Sequence, residues 1–186
     1  MAIESVGVID SDGAEQTMRT IGGAYKTTVT ITRVADTNAY GAGDCIGAAT
    51  GSTAAKEFAT MGPSGDYITI IGAVLEIDAS ALIASEAGYT LYLYDAIPAS
   101  AYGDNTAWDL PSGDRDNFLG KIALGTPVDL GSTLWVETNE TSLKKTVKLA
   151  SSSTSLYAYL TTDAAHTPTS ARVYKVTLIT RRAYGA

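Results

Sequence analysis

Residue types that often carry catalysis are scarce in this chain. Its 186 residues include one histidine, His166, and one cysteine, Cys45. A general base or a metal ligand normally has a second histidine or a cysteine pair for company, and the turn-like run Asp163–Thr169 supplies neither. We therefore expect His166 to lie in a surface loop. We expect Cys45, whose one possible activating base is His166, to be a small buried hydrophobe.

Two glycine-rich stretches lack the residues that their chemistry would require. Met61–Gly65 holds a serine between glycines but not the Gly-x-Ser-x-Gly order of a nucleophile elbow. Gly47–Thr53 lacks the lysine of a phosphate-binding P-loop. A hydrolase on a β-scaffold consequently has the least support, and we predict that the chain is not an enzyme.

Acidic and amide side chains concentrate in the polar connection Ile97–Asn117. Oxygen ligands of this kind can hold Ca²⁺, but neither this stretch nor Asp10–Gly13 has EF-hand spacing, and Asp and Asn are also ordinary turn residues. We expect no cofactor. The weak candidates for a metal site are Asp104, Asp109, Asp114 and Asp116.

The elements that must position these residues are strands. Tyr25–Ile31 alternates, with Tyr25, Thr27, Val29 and Ile31 on one face, as a half-buried antiparallel strand requires. Gly72 predicts a bulge, and Ala79–Ala87 predicts a loop. Similar segments predict about ten strands, at 25–34, 44–49, 56–60, 66–78, 88–96, 118–124, 133–137, 143–150, 154–162 and 171–183.

The predicted fold class is all-β, an antiparallel β-sandwich or jelly-roll-like single domain over residues 25–186. Residues 1–24 show no sustained alternation. They are either an irregular arm, which could reach about 80 Å when extended, or a locally folded strand plus loop.

Charge and hydropathy limit the partners. A formal charge of −7 disfavours nucleic acid. Lysines near 144–148 and the basic residues Arg172, Lys175, Arg181 and Arg182 are either solubilising or face an acidic neighbour. No run approaches the length that spans a bilayer, so we expect no membrane contact. Met1–Glu4 begins no secretory signal, so we expect a soluble protein made in a cytoplasm.

Several segments resemble, in the same order over roughly residues 25–182, a group of tailed-bacteriophage virion structural proteins. The chain departs from that group mainly at Ala79–Ala87. The segments that carry the likeness are Asp36–Asp44, Leu91–Pro98, Gly103–Trp108, Leu156–Leu160, Ala165–Ser170 and Tyr174–Leu178.

The resemblance implies a head decoration, or cement, protein on the outer face of the capsid. Such proteins bind the major capsid protein and often assemble as trimers, so the implied partners are the capsid shell and a homotrimer of this chain. We expect interface contacts from the N-terminal segment and the ends of the first and last strands, at Ile3, Val6, Ile9, Tyr25, Arg172, Arg181, Arg182 and Tyr184.

A second hypothesis is a recognition module, either a phage fibre or tail receptor-binding domain or a carbohydrate-binding sandwich. In that case Tyr102 and Trp108 would form an aromatic platform for a sugar, beside the acidic connection.

Overall fold

A computed structural model describes residues 6–9, 15–18, 23–51 and 54–183. For 6–9 and 15–18 the description is limited to their strands. Within these ranges the chain forms twelve strands and one short 3-10 helix, Ser112–Asn117. The strands are β1 Val6–Ile9, β2 Glu15–Met18, β3 Tyr25–Thr32, β4 Lys56–Phe58, β5 Tyr67–Asp78, β6 Tyr89–Tyr94, β7 Phe118–Gly125, β8 Val128–Asp129, β9 Thr133–Thr138, β10 Lys145–Lys148, β11 Leu156–Thr162 and β12 Val173–Arg182.

Two antiparallel sheets make up the body. One has the order β3-β12-β5-β9-β8, with β10 also paired to β5, and the other has the order β4-β11-β6-β7. For comparison with known folds, the strands can be renumbered in chain order from β3, with β8, β9 and β10 counted together as one strand. These eight strands have the order 1-8-3-6 in the first sheet and 2-7-4-5 in the second. Each sheet thus alternates early and late strands, which is the arrangement of a double-sheet jelly roll. The predicted all-β sandwich is confirmed.

The core lies between the sheets and follows the two-residue period. Ala73, Leu75 and Ile77 of β5 point inward, as do Leu91 and Leu93 of β6, and all five are at most 1% exposed. Burying an aliphatic side chain of this size contributes about 1.5–3 kcal/mol. The alternation in the sequence is therefore the signal that brings the two sheets together.

A bulge interrupts β5 where the sequence predicts it. Ile179 of β12 is opposite Gly72, but the next residue, Thr180, is opposite Ile70, so Ile71 is the extra residue. A Cβ atom at Gly72 would lie 3.4 Å from both the Ile179 side chain and the Thr138 carbonyl oxygen. A Cβ atom would thus be at the near limit of ordinary van der Waals contact, so the backbone and Ile179 approach this position closely.

Most predicted strands are present, with some differences at the margins. Residues 79–87 form a loop, as predicted. Residues 44–49 do not form a strand and make only isolated bridges, at Asp44 and Cys45. The short strand β8 was not predicted. In the N-terminal segment β1 and β2 pair with each other as a separate two-stranded sheet, and the role of residues 1–24 as an arm stays a prediction.

Candidate interaction surface

At β6 and β11 the outer face of the four-stranded sheet is buried beneath other parts of the chain, whereas Lys121 and Ala123 of β7 stay exposed. We call this outer face the covered face. Its outward-pointing rings include Tyr92 and Tyr94 of β6 and Tyr159 of β11, and the connection 97–117 adds Tyr102 and Trp108 to form a second hydrophobic cluster. The Tyr159 hydroxyl donates a hydrogen bond to the Ser100 carbonyl oxygen at 2.9 Å. The long connection is thus a packed layer.

The proposed sugar platform is part of this layer. The Trp108 ring stacks on Tyr92, with ring centroids 3.6 Å apart and planes 14° apart. Trp108 Nε1 donates to the Tyr94 hydroxyl at 3.2 Å, and the Tyr102 hydroxyl donates to the Asp109 carbonyl oxygen at 2.9 Å. One face of the indole is therefore already occupied by the chain's own tyrosine, which disfavours a free stacking platform there.

Asp104, a weak candidate for metal binding, instead joins the connection to the start of the chain's main body. Its carboxylate accepts hydrogen bonds from Arg33 Nη2 at 3.1 Å, from the Tyr40 hydroxyl at 2.5 Å and from the Gly47 amide at 3.0 Å. Arg33 and Asp104 are buried, and Arg33 also pairs with Asp36. The three donors, one of them the Arg33 guanidinium, satisfy the hydrogen-bonding requirement of a buried carboxyl group.

The remaining acidic candidates do not converge on one point. Asp114 is buried, and the amides of Ala99 and Ser100 donate to it at 2.7 and 3.2 Å. A hydrogen bond from the Ser100 side chain, with these amides, lowers the pKa of Asp114 against the effect of its burial. Asp109 and Asp116 are exposed. Over the described ranges, no three His, Cys, Asp or Glu side chains are placed to hold a metal ion.

Arg172, expected at an interface, is 2% exposed and lies inside the folded subunit. Its Nη1 donates to Glu86 Oε2 at 3.0 Å, and both side chains are fully buried. Glu86 also accepts a hydrogen bond from the Tyr89 hydroxyl, and the Arg172 guanidinium lies 5.7 Å from the centre of the Tyr174 ring. The expectation for Arg172 was wrong because its partner is 86 residues away in sequence.

His166 is also buried, at 5% exposed, so the surface-loop prediction was wrong. Its ring contacts those of Tyr40 and Tyr89 at centroid distances of 5.5 and 6.5 Å. The backbone explains the position, since the Tyr40 amide donates to the His166 carbonyl oxygen at 2.9 Å and draws this turn against the core.

Cys45 is 1% exposed, as predicted, and belongs to the cluster on the covered face. Burial raises the pKa of the Cys45 thiol to about 12. A thiol that stays protonated at neutral pH is a poor nucleophile, so Cys45 contributes packing.

The outer face of the six-stranded sheet carries no comparable layer of described residues, and we call it the open face. Register across the sheet places Thr30, Lys175, Glu76, Trp135 and Val128 in one row. Thr30, Lys175 and Val128 are exposed, and Glu76 and Trp135 are half-buried. An outward tryptophan flanked by charged and hydroxyl side chains has the composition of a protein-binding surface.

The β8–β9 hairpin extends the open face at the edge of the sheet. Val128 and Leu130 are 62% and 63% exposed, the two largest fractions among the exposed large hydrophobic side chains of the described residues. The turn is held in place, because the Gly131 amide donates to Asp129 Oδ1 at 2.7 Å and the Leu130 amide donates to the Thr133 carbonyl oxygen at 2.9 Å. The hairpin therefore presents two aliphatic side chains on a defined backbone.

The other predicted interface residues divide into two groups. Tyr25, at the start of β3, is opposite Thr180 of β12, and Arg181 follows Thr180 with its side chain on the other face of the sheet. Arg181 pairs with Glu140 at 2.6 Å and Arg182 with Asp66 at 2.5 Å, both partly exposed. Ile3 and Tyr184 lie outside the described residues, and Val6 and Ile9 lie on β1, where only the strand pairing is described. An interface role therefore stays a prediction for all seven of these residues, namely Ile3, Val6, Ile9, Tyr25, Arg181, Arg182 and Tyr184.

The sequence reading missed the buried charges and the open-face apolar residues. For Arg33 the sequence contained one signal. Arg33 lies two residues after Ile31, so it belongs to the same inward face as Tyr25, Thr27, Val29 and Ile31. Trp135 directly follows the inward Leu134, so the two-residue period of the strand predicts that the Trp135 side chain points outward. For Val128 and Leu130 no local signal distinguishes an exposed hairpin from a buried strand.

Comparisons with known proteins give weak structural neighbours. No protein-family model matches the sequence, and no curated protein matches it either. A chain of infectious bursal disease virus, Gx strain, has a TM-score of 0.29 and 12% identity, over 99% of this chain and 43% of that one. A chain of Israeli acute paralysis virus, from a full particle heated to 63 degrees, has a TM-score of 0.28 and 12% identity, over 97% and 87%.

A chain of the T13 infectious bursal disease virus particle has a TM-score of 0.28 and 11% identity, over 96% of this chain and 36% of that one. The chain thus spans less than half the length of both infectious bursal disease virus chains. At these TM-scores the similarity assigns no partner and no function. The class of protein is defined by the strand order alone, an antiparallel sandwich with jelly-roll connectivity. Among the described residues, no helix is both long and apolar enough to cross a bilayer.

Proposed function

We propose that this chain is a virion structural protein of a tailed bacteriophage, which binds the outer surface of the major capsid shell and stabilises the head. The jelly-roll strand order supports a building role, since that fold recurs in viral capsid domains, although lectins and cupins share it. The resemblance of six segments to phage virion proteins supports the setting. A binding role also accords with the prediction that the chain is not an enzyme.

The observation that carries the proposal is the contrast between the two outer faces. The chain covers one with its own aromatic layer and leaves the other open, with Trp135 half-buried and Val128 62% exposed. Apolar side chains presented on a rigid sheet favour contact with another protein. Such contacts across the joint between two capsomers would oppose their separation.

Several weak contacts act together when the subunits that make them are linked. If copies of this chain associate, as the trimer prediction holds, each later contact with the shell becomes effectively intramolecular and dissociation slows. The N-terminal segment adds a further contact in this proposal, through strand pairing with a neighbour.

A shell-binding assay tests the proposal. Purified chain is mixed with shells that lack it, the particles are pelleted, and bound copies are counted by gel. We expect saturable binding at hundreds of copies per head, a number set by the repeated surface of the shell. A handful of copies, or none, would contradict shell decoration.

One deletion tests the N-terminal contact in the same assay, and one point variant serves as its control. Deletion of residues 1–20 should lower occupancy at limiting protein, and unchanged occupancy would exclude a role for that segment. Lys121→Ala, an exposed change on β7 of the other sheet, is the matched control and should bind as the unmodified chain does.

The carbohydrate-binding alternative gives a different result. A fibre or lectin module would bind glycans on an array and would fail to saturate shells. The stacking of Trp108 on Tyr92 makes this outcome the less favoured one.

A further inference from the structure

Charge is segregated across the six-stranded sheet. β3 and β12 hold only basic charged residues, Lys26, Lys175, Arg181 and Arg182. β5, β8 and β9 hold only acidic ones, Glu76, Asp78, Asp129 and Glu137. The remaining strand of the sheet, β10, carries Lys145 and Lys148. The basic charges of β12 and β3 thus lie toward the β3 edge and the acidic charges of β9 and β8 toward the β8 edge, whereas β10 adds basic charge on the β9 side at the other end of β5.

Both edges are available for contact in the part of the chain that the structure describes. β3 is eight residues long, and its one strand neighbour there is β12. It contains no proline, and Lys26 is its one charged residue. At the opposite edge β8 pairs with only Leu134 and Trp135 of β9. The eight-residue β3 is a long unprotected edge, and such edges are uncommon in monomers because they pair readily with other chains.

Apolar anchors accompany the acidic edge. Val128 and Leu130 lie on the β8–β9 hairpin and are more than half exposed. Glu137, on β9, is also exposed. Aliphatic side chains with a charged surround are typical of the centre and the rim of a protein–protein contact.

We infer that copies of this chain associate side by side, with the acidic β8–β9 edge of one copy against the basic β3 edge of the next. Opposite charges fix which edges meet, and Val128 and Leu130 supply the buried area. A contact between two different edges is head-to-tail, so it closes into a ring when the rotation between copies permits. The inference deepens the self-association in the proposed function by naming its two surfaces.

Charge reversal on purified protein tests the pairing. Lys26→Glu with Lys175→Glu reverses basic charges on β3 and its neighbour β12, and Asp78→Lys with Glu137→Lys reverses acidic charges on β5 and β9. We expect the unmodified chain to associate in sedimentation velocity at low salt, and each reversed chain alone to be weakened about tenfold or more in Kd. An equimolar mixture of the two reversed chains should associate again, because their edges are complementary.

Controls separate this effect from folding and from net charge. Lys121→Glu and Asp116→Lys change exposed charges away from both edges and should leave association unchanged. Val128→Ser with Leu130→Ser should weaken association without altering its salt dependence, which reports the charges. Thermal unfolding of each variant verifies the fold.

Two results would overturn the pairing. One is an unmodified chain that stays monomeric at every concentration tested, and the other is a mixture of reversed chains that fails to associate. Because no shell is present in this experiment, a chain that binds shells as single copies would fail here and still pass the shell-binding assay. The two proposals therefore fail independently.

Discussion

The two outer faces of the sandwich differ in what lies over them, although both are built from alternating strands. Over the four-stranded sheet, Tyr92 and Tyr94 meet Trp108 from the connection 97–117, and the layer is closed. Over the six-stranded sheet, Trp135 is half-buried in an outward row with the exposed Lys175 and Val128. The comparison teaches that alternation selects which side chains point outward, and that a distant segment decides whether outward means exposed.

Charged pairs also differ in their burial. Arg33 with Asp104 of the connection, and Arg172 with Glu86 of the loop 79–87, are buried pairs. Near the open face, Arg181 pairs with Glu140 while both side chains stay more than 40% exposed. Desolvation makes a buried charge costly once its partner is lost, whereas water replaces the partner of an exposed one.

The largest effect should come from breaking a buried pair. Glu86→Ala leaves the Arg172 guanidinium buried without its carboxylate, and we expect unfolding free energy to fall by about 3–5 kcal/mol. Arg181→Ala, the exposed counterpart, should cost about 1 kcal/mol or less. Urea unfolding of both variants measures the difference. Equal losses would mean that burial does not distinguish the two pairs.

The two tryptophans provide the next comparison. Trp108→Ala removes the stack on Tyr92 and the hydrogen bond to Tyr94, and should destabilise the chain by about 2–3 kcal/mol. Trp135→Ala on the open face should cost about 1 kcal/mol or less, measured where the chain is monomeric. The same urea titration reports both. A larger loss for Trp135 would show that the open face is covered in solution.

Acid should loosen the covered side through Asp114. Hydrogen bonds lower its pKa from the ordinary 3.8, so the folded state binds that proton less readily than the unfolded state. Its stabilisation is present above the unfolded pKa and is lost as pH falls through the folded one. Unfolding free energy measured from about pH 6 downward should therefore decline less steeply for Asp114→Asn than for the unmodified chain. Parallel profiles would rule out this contribution.

The smallest effect concerns the reactivity of Cys45. The thiol is buried and its pKa is raised to about 12, so a thiol reagent at about pH 8 should label the folded chain very slowly and the unfolded chain at once. In Trp108→Ala, opening of the aromatic layer should speed labelling, whereas Trp135→Ala should not change it. Fast labelling of the unmodified chain would contradict a closed layer.

Local pattern predicted much of the fold. The alternation in Tyr25–Ile31 and in Tyr89–Tyr94 predicted the strands β3 and β6, and Gly72 predicted the bulge in β5, because each depends on the geometry of neighbouring residues. Residues 44–49 were predicted as a strand and form only bridges, since their pairing depends on Thr106 and Thr161, which are distant in sequence. The candidate site was predicted less well, because exposure is not a local property.

The sequence by itself determined an all-β sandwich, a shortage of catalytic residue types and a net acidic chain. The tertiary structure alone decided that Arg172 and His166 are buried and that one face is covered while the other is open. It also decided that the basic strands β3 and β12 lie toward one edge of a sheet and the acidic β8 and β9 toward the other. The physical reason is separation along the chain. A two-residue period is set between neighbours, whereas the partners Arg33 and Asp104 are 71 residues apart and meet only when the sheets are assembled.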